Sequence, residues 1–83
     1  MFYYTYILYS DITEKYYIGS SEDVVRRLER HNAGATPSTK SGRPWRIVWT
    51  HQHDCKTDAL KQENYIKRMK SRAYILSLIN KGG

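Results

Sequence analysis

The run Thr57-Asp58-Ala59-Leu60-Lys61-Gln62-Glu63-Asn64-Tyr65-Ile66-Lys67-Arg68-Met69 spaces its apolar residues Ala59, Leu60, Ile66 and Met69 as one face of an α-helix does. At about 100° per residue, Glu63 projects within roughly 50° of the centre of that stripe. A leucine would belong there. Burying a carboxylate costs several kcal/mol unless a metal ion or a cluster of cations offsets it. The chain carries such cations on a second helix, expected over residues 22–32. Val24, Val25 and Leu28 are expected to face inward on it, with Arg27 and His31, four apart, beside that inner face. Arg26 and Arg30 point the opposite way, into solvent. One inward acid and two inboard basic groups on separate helices describe a site rather than a surface.

Outward from these two helices, residues 2–9 are rich in Tyr and Ile and read as a strand. Residues 10–15 are polar turn material, and Tyr16-Tyr17-Ile18-Gly19 is the hairpin partner. Ser20 or Ser21 is positioned to cap the first helix, with Glu22 and Asp23 in its first turn. Residues 32–44 form a long loop holding Gly34, Pro37, Gly42 and Pro44, and ordered loops of that length are often functional. Residues 45–53 alternate apolar and polar, with Trp45, Ile47 and Trp49 on one side, and give a third strand. Thr57 is expected to cap the Glu63 helix. Ser71 caps a last short helix that buries Tyr74, Ile75, Leu78 and Ile79. The result is one α/β (α+β) domain over residues 1–83, with a three-stranded antiparallel sheet flanked by helices in the order β-β-α-β-α-α.

The chain has 83 residues, with 14 Lys plus Arg against 8 acids and a net charge of +6. That excess favours a polyanion, with nucleic acid ahead of an anionic membrane surface. No segment is apolar for long enough to span a bilayer, no signal-peptide pattern opens the chain, and the single Cys55 excludes an internal disulfide framework. A cytoplasmic setting is expected. His51, His53 and Cys55 share a face of an extended run, but a structural zinc site takes four ligands, commonly paired from separate segments. An exposed polar strand face is expected there instead.

The order of elements, with Tyr, Arg, His and Glu converging, resembles the GIY-YIG nuclease superfamily, most closely its small standalone bacterial members, the UPF0213 or YhbQ-like group. The matching stretches are Tyr4-Thr5-Tyr6-Ile7-Leu8, Tyr17-Ile18-Gly19-Ser20-Ser21 and Val24-Val25-Arg26-Arg27-Leu28-Glu29-Arg30-His31-Asn32. Further matches are Arg43-Pro44-Trp45, Ala59-Leu60-Lys61-Gln62-Glu63 and Ile66-Lys67. The resemblance covers nearly the whole chain. Tyr4-Thr5 stand where the first motif has Gly-Ile, and Tyr6 keeps its tyrosine.

The resemblance implies a metal-dependent endonuclease that hydrolyses phosphodiester bonds of DNA in repair or recombination, with Mg²⁺ or Mn²⁺ as cofactor. Glu63 would bind the metal, Tyr6 would act as general base, and Tyr17 would orient the water or the phosphate. Arg27 would contact the phosphate, and His31 matches a further residue of the site. Gly19 and Ser20, then Thr39, Lys40 and Arg43 of the loop, and Lys67 one turn beyond Glu63, are the candidate substrate-binding residues. A single small domain leaves little surface for base readout. Structure-dependent or weakly specific cutting is therefore expected, with a protein partner or a homodimer supplying the rest. RNA stays open as a target, since phosphate contacts do not distinguish the sugars.

Each residue also has a plain structural reading. Strand tyrosines mostly pack, Arg27 alone could be a snorkelling helix arginine, His31 a helix cap, and Glu63–Arg27 a buried ion pair without catalysis. The alternative function is accordingly a nucleic-acid-binding module, for DNA or RNA, that keeps the fold, cuts little or not at all and acts through a partner. A third reading is a small interaction subunit of a larger machine.

Overall fold

Strand β1 (Tyr3–Ser10) is buried along Thr5, Tyr6, Ile7 and Leu8, side chains that point alternately to both faces of the sheet. Burial on both faces marks a central strand. In the computed structural model, which describes residues 1–81, β1 lies between β2 (Lys15–Ser21) and β3 (Trp45–His53), both antiparallel to it. The last two residues of the expected 1–83 domain lie outside the described residues. The order continues β1, β2, α1 (Val24–Asn32), a 3-10 helix (Pro37–Gly42), β3, α2 (Lys56–Met69) and α3 (Arg72–Asn80). This is the expected α+β architecture. The 3-10 helix is an addition, lying inside what the sequence reads as a long loop.

Two small cores sit on opposite faces. Tyr6, Leu8, Val24 and Trp45 pack on the α1 face with Tyr4, Tyr17, Leu28 and Ile47 around them. Ile7, Trp49, Ile66 and Ile75 pack on the α2–α3 face with Tyr16, Ile18, Val48, Tyr74, Leu78 and Ile79. Trp45 and Trp49 therefore lie on opposite faces, against the expectation that they share one with Ile47. The cause is a bulge. Ile7 pairs with Trp49 but Leu8 with Ile47, so Val48 is an extra residue. One added residue reverses the facing of everything beyond it.

Helix boundaries also differ in their caps. Asp23, rather than Ser20 or Ser21, is the N-cap of α1, its carboxylate accepting from Arg26 N at 3.0 Å. Ser21 holds the turn before it, bonded to Asp23 N, and Glu22 lies outside the first turn. Val25 is 63% exposed, so α1 rests on Val24, Leu28 and His31 instead. The N-cap of α2 is Cys55 without a side-chain bond, which displaces Thr57 into the first turn. Leu60 and Met69 are exposed, and α2 docks on Ala59 and Ile66. Ala59 is fully buried and brings the helix backbone close enough for the Thr5 hydroxyl to donate to its carbonyl at 2.9 Å. Ser71 caps α3 as expected, through Tyr74 N. Among the described residues no helix is long and apolar enough to cross a membrane.

Candidate active site

Tyr6 on β1 pairs directly across the ladder with Gly19 on β2. Its ring lies over that glycine, and a Cβ built there would stand 2.5 Å from the Tyr6 Oη. Glycine thus clears the path along which the phenol reaches toward the outer edge of the sheet. At its hydroxyl, Tyr6 meets His31 Nε2 at 3.2 Å, while Tyr17 packs edge-on against His31 with ring centroids 4.8 Å apart. These three rings are the first half of the site.

The proton positions in this half follow from its hydrogen bonds. The Thr39 hydroxyl donates its one proton to the Thr36 carbonyl at 3.2 Å, so it accepts from His31 Nδ1–H at 2.9 Å. With Nδ1 protonated, neutral His31 presents a bare Nε2, and Tyr6 O–H donates to it. Burial, then Arg27 and then Arg30, push the His31 pKa below its ordinary value, which keeps the ring neutral. Burial of the Tyr6 phenol raises its pKa, and Tyr17 and Glu63 act in the same direction. The Arg27 guanidinium opposes them and loses. Tyr6 is thus a protonated phenol resting on a neutral imidazole.

The second half comes from the other face. Glu63 projects from α2 to the β2 edge, where Ser20 Oγ donates to Oε1 at 2.7 Å and Lys67 Nζ to Oε2 at 2.6 Å. Its side chain is 14% exposed, so the inward carboxylate expected from helical spacing is found. Ser20 is the chain neighbour of Gly19, against which the Tyr6 ring lies, and this adjacency brings the two halves to one strand edge. The residues converge because β2 is an edge strand: Tyr17, Gly19 and Ser21 face α1, Tyr16, Ile18 and Ser20 face α2, and side chains from both layers meet at positions 19 and 20.

The expected substrate-binding residues divide. Lys67 and Ser20 are in the site, on Glu63. Gly19 is buried, and the Tyr6 ring lies against it. Thr39 is fully buried beneath His31, so the expectation that it grips substrate is corrected: its hydroxyl supports the imidazole, while Trp45 Nε1 donates to its carbonyl at 2.7 Å. Lys40 and Arg43 are exposed, Arg43 Nε donating to the Lys40 carbonyl at 2.9 Å. Asn32, the last residue of α1, closes a ring onto the first residue of β3. Trp45 N donates to its Oδ1 at 2.6 Å and its Nδ2 donates to the Trp45 carbonyl at 3.1 Å. That clamp seats the 3-10 helix under His31. A polar Thr in a Pro-Ser-Thr-Lys loop carries no pattern that would have revealed its partner.

His51 and His53 stack with ring centroids 4.7 Å apart, and His53 Nε2 contacts Gln62 Oε1 at 2.7 Å. Among the described residues, no three His, Cys, Asp or Glu side chains gather to hold a metal ion.

Residues 2–75 match the model of the GIY-YIG catalytic domain. A UPF0213 protein of Staphylococcus saprophyticus is 39% identical over 80% of each chain. The structure-specific endonuclease subunit slx1 of Schizosaccharomyces japonicus is 31% identical over 95% of this chain. Its counterpart SLX1 in Meyerozyma guilliermondii is 35% identical over 89%. The chain spans 37% and 28% of those two fungal relatives, about a third of their length. The solution structure of a UPF0213 protein from Bacillus halodurans superposes with a TM-score of 0.62 at 34% identity, covering 100% of this chain and 88% of that one. With residues 2–75 matching the family's model and a UPF0213 structure superposing over the whole chain, this chain belongs to the GIY-YIG family of nuclease domains, in its UPF0213 group.

Proposed function

We propose that the protein is a divalent-metal-dependent DNA endonuclease. The observation that carries this reading is the meeting, at Gly19 and Ser20, of a Tyr6–His31 hydrogen-bonded pair with the carboxylate of Glu63. Hydrolysis of a phosphodiester needs an aimed, deprotonated water and cations on the phosphate oxygens. A phenol whose pKa is raised cannot take a proton while it keeps its own. Tyr6 passes its proton to His31 Nε2 as it accepts one from water, so the base is the pair rather than the tyrosine. Arg27 neutralises the phosphate through its planar fork. Tyr17, packed against His31, holds the imidazole in register.

The donors around Glu63 are a carboxylate and a hydroxyl, hard oxygens that suit Mg²⁺ or Mn²⁺ and not a thiophilic ion. The Lys67 ammonium against Oε2 marks where a cation is accommodated. Glu63 would hold the metal, which when bound supplies Lewis-acid stabilisation of phosphate charge.

Two relatives named as subunits of a structure-specific endonuclease support a branched or flapped DNA as target, and a partner protein or second copy that adds specificity. DNA repair or recombination in the cytoplasm is the setting that goes with it. The test is cleavage of labelled duplex, single-stranded, 5′-flap and four-way-junction DNA with Mg²⁺ or Mn²⁺. Cutting is expected on at least one branched substrate, lost with EDTA and reduced at least 100-fold in Glu63→Ala. Salt-sensitive binding without cutting, unchanged in the variant, would replace this reading with the binding-module alternative.

A further inference from the structure

A groove of about 360 Å³ runs along the α2-facing side of β2, between that edge strand and the junction of α2 with α3. Its walls carry Lys15, Lys67, Lys70 and Arg72, and its floor is built from apolar and aromatic side chains, Tyr16 and Ile18 among them. No acidic side chain among the described residues lines it. One end opens onto the proposed cutting site, because Lys67 is also the partner of Glu63 and Ser20 lies one inward-facing step beyond Ile18. From Ser20 to Lys15 the strand descends about 17 Å at ~3.3 Å per residue, which is room for a few nucleotides.

Cations over an apolar, aromatic floor are the chemistry that holds an unpaired strand, with phosphates on the ammonium and guanidinium groups and bases on π-faces. Tyr16 already carries the Arg72 guanidinium 5.1 Å from its ring centroid, and the flat guanidinium is itself a surface on which bases stack. The volume is at the lower end of small-ligand sites, too small for a paired duplex and suited to a short stretch of unpaired strand. Two other hollows are less suited to a phosphate chain. The one beside Arg26, Arg27 and Arg30 includes Glu22 and Asp23, and the broad one along the outer face of α2 includes Asp58.

We propose that the β2–α2/α3 groove binds the single-stranded arm of a branched or overhanging DNA and so delivers the junction to the cutting site. The inference rests on the endonuclease reading for its purpose, but its test does not depend on cutting. Binding is measured with divalent cations omitted, on a duplex with a single-stranded overhang and on the same duplex blunt-ended, for the wild type and for Lys15→Ala/Arg72→Ala. Neither residue belongs to the cutting site, and amide spectra establish that the variant is folded. The variant is expected to lose about tenfold in affinity for the overhang duplex and less than about twofold for the blunt one. In the wild type, a short oligothymidylate is expected to shift the amides of Tyr16, Ile18, Ser71 and Ile75. Equal losses on both duplexes, or amide shifts confined to α1 around Arg26 and Arg30, would overturn the proposal. A protein that binds the overhang through this groove but never cuts would defeat the endonuclease reading alone. One that cuts branched DNA without engaging the groove would defeat this inference alone.

Discussion

A methyl group at Gly19 would stand 2.5 Å from the Tyr6 Oη, a distance that real contacts do not tolerate. Gly19→Ala is therefore expected to cost about 1–3 kcal/mol in stability. It should lower cleavage more than that loss implies, because the phenol must swing off His31; denaturant unfolding beside kcat on one substrate separates the two effects. Thr39 has the complementary part. Thr39→Val leaves His31 Nδ1–H buried without an acceptor, at a cost of about 1–3 kcal/mol, and frees the ring to change tautomer. Imidazole ¹⁵N shifts should report Nδ1 protonated and Nε2 bare in the wild type and in Thr39→Ser, but a mixture in Thr39→Val. Since burial, Arg27 and Arg30 depress the His31 pKa, the folded protein binds fewer protons there than the unfolded chain. The resulting stability difference from His31→Gln should hold above about pH 6.5 and shrink as pH falls from there toward the folded pKa. Tyr6, Tyr17, Arg27, His31 and Glu63 stand out in the sequence as candidates through the resemblance of its motifs, and the inward turn of Glu63 through helical spacing. The sequence could not expose the bond from His31 to Thr39 or that from Ser20 to Glu63, since both depend on where a loop and a strand edge are folded.

In β3 the alternation of Trp45, Ile47 and Trp49 reads as one apolar face, yet the bulge at Val48 sends the two tryptophans to different cores. A sheet covered on both sides has apolar partners for either choice, so hydrophobic pattern alone does not register an extra residue. Deleting Val48 removes the bulge and leaves Trp45 and Trp49 on their present faces. Deleting Thr50 forces either Trp49 or the pair His51 and His53 onto the wrong face. The Val48 deletion is accordingly expected to keep a dispersed amide spectrum and cooperative unfolding, and the Thr50 deletion to lose both. Equal damage from the two would mean that Val48 is an ordinary ladder residue. The same limits of pattern explain Val25, Leu60 and Met69. Each sits within a helix turn of a buried residue, and on these short helices the narrow contact made by Val24 and Leu28, or by Ala59 and Ile66, suffices.

At the scale of the molecule, a charge of +6 on 83 residues is a long-range attraction for phosphate, graded by salt. Lys40 and Arg43 are exposed and contact one another rather than the Tyr6–His31 pair or Glu63. If they hold the DNA backbone, the Lys40→Ala/Arg43→Ala protein should bind duplex more weakly. Its plot of log affinity against log salt should be flatter by about 0.9 for each lost contact, with kcat unchanged. An unaltered slope would return both to the status of solvated charges. Composition announced this attraction from the outset, while its geography came only with the fold.

The sheet has one further consequence. Tyr6 and His31 hang from the layer under α1, and Glu63 hangs from the layer under α2 and α3, with strand β2 as their common border. A molecule whose α2–α3 layer has peeled away retains the tyrosine and histidine, and one that has lost α1 retains the carboxylate. Neither is a nuclease. In the proposed chemistry, cutting thus requires both layers to be docked on the same sheet at once, and a chain that has lost either one lacks half of the cutting machinery.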